Sequence, residues 1–61
     1  MKFEQAMEEM IKGKKVKLPE INAAITLNGT TFVEQDFEGD SFEIEGIDDE
    51  LKSREDWEVF E

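Results

Sequence analysis

The chain has no cysteine and no histidine. The first absence excludes disulfide staples and a thiolate metal site, and the second removes the commonest general base and metal ligand. Nucleophile–base pairs built on Cys or His are therefore excluded, and any metal site would rest almost wholly on Asp and Glu. No glycine-rich loop of phosphate-cradling spacing is present. No stretch approaches the roughly 18 apolar residues of a membrane span, and the N-terminus lacks the apolar run of a signal peptide. These absences lead to the expectation of a soluble, intracellular protein that has no contact with a membrane and is not an enzyme.

Sixty-one residues suffice for one domain. A chain of this length buries only about 60% of its unfolded surface. With no disulfide or thiolate-bound metal to help, assembly into a homo-oligomer is the remaining common way to gain buried area.

What is abundant is negative charge, with a formal net charge of −10. It is spread unevenly: residues 1–17 hold five lysines and three glutamates, whereas residues 18–61 hold Lys52, Arg54 and fourteen acids. Such a balance repels bare nucleic acid at long range and suits docking onto a basic partner.

Phe3, Ala6, Met7, Met10 and Ile11 recur at helical spacing and predict an amphipathic helix from residue 2 or 3 to residue 12. Gly13 is placed to close it in the left-handed conformation. Val16 and Leu18 alternate with Lys15 and Lys17, predicting a strand with a basic outer side that ends at Pro19. Residues 20–27 alternate again, and Asn28-Gly29 predicts a two-residue hairpin turn that pairs Ile25 with Phe32 and Ala24 with Val33. Phe42 and Ile44 predict a third antiparallel strand, Asp48 caps a short helical turn, and residues 53–61 form a last strand with Trp57 in the core. The fold class is α+β: an N-terminal helix packed on a small antiparallel sheet of four or five strands, forming a single compact domain over residues 1–61. Its expected core holds Phe3, Met7, Met10, Ile25, Phe32, Ile44 and Trp57. Ala24, Val33 and Phe60 are left on the opposite side of the sheet, without a partner in one helix-on-sheet layer.

Asp36, Glu38 and Asp40 alternate like the opening of a calcium-binding EF-hand loop. However, Ser41 stands where that loop needs glycine and Ile47 where it needs a bidentate glutamate, so a solvated turn is expected. The concentrated positive charge is Lys12, Lys14, Lys15 and Lys17, at a helix–strand junction. It reads either as a counterweight to the acidic remainder or as a phosphate site.

Phe3-x-x-Ala6, the glutamates of the helix, Gly13-Lys14-Lys15-Val16-Lys17 and the closing Asp56-Trp57-Glu58-Val59 resemble the DUF2829-like family of short phage proteins, which includes the Thoeris anti-defence sponges. The likeness covers about 25 residues at the two ends of the chain. Asn22 matches a family asparagine, but Ile21 stands where members carry tryptophan, and the middle of the chain is shorter than theirs. The resemblance implies a homo-oligomeric viral protein of the host cytoplasm. Such a protein needs no cofactor. It sequesters a nucleotide-derived immune signal, of cyclic ADP-ribose or cyclic oligonucleotide type, without chemistry. On that reading Lys14, Lys15, Lys17 and Asn22 anchor the ligand, with Phe37 and Phe60 as stacking partners. A competing expectation is an acidic inhibitor that docks on a basic host protein as a nucleic-acid mimic, using acids between Glu34 and Glu50. A third is an accessory phage protein with no small ligand.

Overall fold

Helix α1 (Phe3–Ile11) forms where the apolar stripe predicts it. The Gln5 side chain accepts the Lys2 backbone N–H at 3.0 Å, tying down the first turn. The last turn closes as a Schellman motif: Lys14 N–H reaches the Glu9 carbonyl and Gly13 N–H the Met10 carbonyl, both at 3.0 Å. That closure requires a left-handed residue, and Gly13 supplies it with φ of 94°. Ala6 and Met10 are buried, with Phe3 and Met7 packed against the core. Ile11 departs from the expected stripe and is 70% exposed. It is the last helical residue.

In this computed structural model, which describes residues 1–60, the helix lies on a five-stranded, wholly antiparallel sheet. The strands are β1 (Lys15–Lys17), β2 (Ala23–Asn28), β3 (Thr31–Asp36), β4 (Ser41–Ile44) and β5 (Glu58–Phe60), with a short helix α2 (Asp49–Lys52) between the last two. The spatial order is β4-β3-β2-β1-β5. The C-terminal strand therefore adds to β1, with Val16 opposite Val59 and Lys15 opposite Phe60. Helix α1 packs over β1, β2 and β5, and Leu51 of α2 packs against the core.

The hairpin β2–β3 forms in a register two residues away from the expected one. Asn28 pairs with Thr31, so Gly29-Thr30 is the turn, Leu27 faces Phe32, and Ile25 faces Glu34. Positive φ falls on Gly29 alone, at 67°. That is the requirement of a type II′ turn, whereas a type I′ turn centred on Asn28-Gly29 would need two such residues. Because the slip is an even number, every side chain keeps its face.

The core consists of Ala6, Met10, Val16, Leu18, Ile25, Ile47 and Trp57, with Phe3, Met7, Phe32 and Ile44 partly buried against it. Trp57 is 2% exposed. Its ring lies 5.4 Å from that of Phe3, and its indole N–H donates to the Leu51 carbonyl at 3.1 Å. The Trp57 backbone also exchanges two bonds with Met1: its N–H reaches the Met1 carbonyl at 3.1 Å, and its carbonyl accepts from the terminal amine at 2.7 Å. These contacts fasten the two ends of the described chain to each other. Asp48 occupies the cap position of α2, but its side chain makes no capping bond, contrary to expectation.

Candidate functional site

Strand alternation sends Lys15 and Lys17 to the sheet face opposite Val16, the face that α1 does not cover. Their neighbours there follow from the pairing: Phe60 and Glu58 on β5, and Gln35 from β3 across Ala24. Phe37, just past the end of β3, folds back over the same face. Its ring stacks on Phe60 with centroids 5.0 Å apart and planes 18° from parallel. The Lys17 ammonium sits 6.0 Å from the Phe37 ring centre, within reach of the ring's negative face. Lys15 Nζ donates to Gln35 Oε1 at 2.8 Å. Lys15, Ala24, Gln35, Phe37 and Phe60 thus line a shallow depression, with Asp36 at its edge.

The structure brings Lys15, Lys17, Phe37 and Phe60 together and leaves Lys14 and Asn22 outside. Lys14 turns toward the helix, with its Nζ 3.6 Å from Glu9 Oε2. That oxygen is buried and has no hydrogen-bond partner, so the Lys14 charge is what compensates it. Asn22 is exposed in the β1–β2 loop and lies away from the depression. Lys17 also differs from expectation, because the basic outer side of β1 is not uniformly wet. Lys17 is only 9% exposed. Its ammonium is held by the Pro19 carbonyl at 3.3 Å and by Glu58 at 3.6 Å. A flat five-stranded sheet face under long side chains buries the middle row, which also explains why Ala24 is only 3% exposed rather than bare.

The acidic loop between β3 and β4 is an ordinary tight hairpin. Asp36 Oδ1 accepts the N–H groups of Glu38 and Asp40, each at 3.0 Å, and Gly39 takes φ of 100°. Among the described residues no cluster of three or more acids is arranged to hold a metal ion. No helix there is long and apolar enough to cross a membrane.

Two features escaped the sequence reading. Arg54 forks between Glu20 and Asp56, tying the β1–β2 loop to the segment before β5. Hydrogen bonds from the guanidinium hold both carboxyls below their usual range, and the same bonds raise Arg54. The second is an apolar cleft of about 190 Å³ on the helix side of the sheet, lined by Leu18, Ile25, Ile44, Ile47 and Trp57 together with Glu34. Its signal was present in β3, where the inward positions read Phe32, then Glu34: a carboxylate where the pattern calls for an apolar residue. This cleft lies on the core side of the sheet with Lys17 at its border, whereas Lys15 lines the depression on the other face.

No protein-family model matches the chain, and neither a curated protein nor a solved structure does.

Proposed function

We propose that this protein is a binder without chemistry, a phage anti-defence sponge that sequesters a phosphate-bearing nucleotide signal on the open face of its sheet. The observation that carries the reading is the meeting of Lys15 and Lys17 with the stacked Phe37–Phe60 pair. A nucleotide offers a planar base and an anionic phosphate. Aromatic stacking contributes about 1–3 kcal/mol per base, and a lysine supplies a point charge for the phosphate. Lys15 is the available anchor, because its partner Gln35 is neutral and its side chain is exposed. Lys17 is pre-positioned by Pro19 and Glu58 and fixes the local field. The acidic remainder does not forbid this, since salt screens exposed charges beyond about 8–10 Å.

A depression this open encloses little of a ligand on its own. A homo-oligomer in which a second copy covers the Phe37–Phe60 face fits the reading, and it would also shield Val33. Action in the host cytoplasm follows from the same proposal.

A second reading is favoured by the charge layout. Glu43, Glu45, Asp49 and Glu50 are exposed along edge strand β4 and the segment after it, away from the lysines. That edge suits docking on a basic host protein as a nucleic-acid mimic. Co-expression with a signal-producing defence enzyme, followed by mass spectrometry of what heat releases from the purified protein, separates the two. A retained nucleotide supports the sponge. A nucleotide-free protein that co-purifies with a basic host protein supports the mimic and counts against the sponge.

A further inference from the structure

The helix-side cleft stands apart from the lysine face, and its chemistry is different. Its walls are mostly apolar: Leu18, Ile25 and Ile44 from the sheet side, Ile47 and Trp57 from the connecting segments. Its volume of about 190 Å³ exceeds the roughly 150 Å³ of an engineered apolar cavity that binds benzene. One half-buried carboxylate, Glu34, opens onto it, with Asp48 also on the lining. The Glu34 carboxylate makes no hydrogen bond and no ion pair among the described residues, whereas the partly buried charges of Glu9, Lys17, Asp36 and Arg54 all have partners. Lys17 also lines the cleft, but its ammonium is bound on the other side by Pro19 and Glu58 and does not neutralise Glu34.

We infer that this cleft is a binding site for a small organic cation with an apolar body, an aryl- or alkyl-ammonium whose hydrocarbon part fills the space between Ile25, Ile47 and Trp57 and whose charge pairs with Glu34. An apolar enclosure with one uncompensated carboxylate at its side selects for both properties. The hydrocarbon part displaces poorly bound water, and the ammonium supplies the partner that the carboxylate lacks. An anion is repelled by Glu34 and Asp48, and a neutral molecule of the same shape leaves Glu34 unpaired.

The test uses the single tryptophan, which lines the site. The purified protein is titrated with phenethylammonium, phenethyl alcohol and phenylacetate while Trp57 fluorescence is followed. The expected result is a saturable change with the ammonium, affinity weaker by about tenfold or more with the alcohol, and no saturable change with the carboxylate. Glu34→Gln, which keeps shape and removes charge, brings the ammonium down to the level of the alcohol. Ala23→Leu, which fills the cleft and leaves Glu34 in place, abolishes both responses. Should Ala23→Leu fail to fold by circular dichroism, the Glu34→Gln comparison decides alone. No saturable response to the ammonium, equal affinity for ammonium and alcohol, or an unchanged response in Glu34→Gln overturns the assignment.

Discussion

Replacing Trp57 with alanine should nearly abolish the folded state. The residue is 2% exposed, packs on Phe3 at 5.4 Å and donates its indole N–H to the Leu51 carbonyl. Truncating a buried tryptophan costs about 3–5 kcal/mol through lost transfer energy and the cavity left behind. The tilted aromatic contact accounts for about 0.5–1.5 kcal/mol within that. Against it stands a total stability of roughly 3–9 kcal/mol for a chain of this size. Trp57→Ala is therefore expected to be largely unfolded at 25 °C, or to survive with a melting point lower by tens of degrees, since 1 kcal/mol moves the midpoint about 4–8 °C in so small a domain. Trp57→Phe separates the terms. It keeps most of the packing but leaves the Leu51 carbonyl without its partner, at a cost of about 1–3 kcal/mol. Urea titrations followed by far-ultraviolet circular dichroism give both numbers without needing the tryptophan signal. An alanine variant that loses less than about 1 kcal/mol would refute the placement of Trp57 at the centre of the core.

The remaining predictions are these. Gly13→Ala should lose about 1–2 kcal/mol, because a Cβ there meets nothing within 4 Å and the whole effect comes from φ of 94°; a urea midpoint equal to the unmodified protein's would contradict this. Lys15→Glu should change stability by no more than about 0.5 kcal/mol, whereas Lys17→Glu, which sets a buried carboxylate against Glu58, should lose upwards of about 1–3 kcal/mol; equal midpoints would overturn the burial of Lys17. Glu20 and Asp56 have folded-state pKa values below their ordinary ones, so the stability they contribute is present above the ordinary carboxylate range and is lost as pH falls through and below it. Both are exposed, so the effect is modest, and Arg54→Gln should flatten this part of the acid limb of a pH–melting curve; an acid limb identical in the variant would show that the fork does not act in solution.

How far the fold could be read beforehand depended on whether a single local cause governed each element. The 3.6-residue stripe from Phe3 to Met10 and the glycine after it specify α1 and its end almost unaided. The strands followed from alternation, except that β2 begins only at Ala23 and the last strand, expected over residues 53–61, is confined among the described residues to Glu58–Phe60; the carboxylate of Asp36 finds its bonds within its own turn. The hairpin register was less legible because Asn28-Gly29 and Gly29-Thr30 both satisfy turn chemistry. The register that forms sets Leu27 opposite Phe32 and Ile25 opposite Glu34. The burial of Lys17 was hidden for a similar reason. Alternation places it on the outer face, but nothing local says that Phe37 will fold back from another strand to cover it. The same return brings Phe37 onto Phe60, so the stacked pair, and with it most of the candidate site, depends on β5 joining β1 from the far end of the chain. Lys14 was grouped with it by nearness in sequence and Asn22 by the family resemblance. The turn after Gly13 sends Lys14 to Glu9 instead.

The central claim is that the face carrying Lys15, Phe37 and Phe60 binds a phosphate-bearing nucleotide. Isothermal titration with a panel of cyclic nucleotides and cyclic ADP-ribose-type molecules, run on the unmodified protein, on Lys15→Glu and on Phe37→Ala, tests it most directly. At least one member of the panel is expected to bind the unmodified protein, Lys15→Glu to abolish this binding with the fold intact by circular dichroism, and Phe37→Ala to weaken it by the loss of a stacking surface. Binding that survives Lys15→Glu undiminished, or a panel from which nothing binds the unmodified protein, contradicts it.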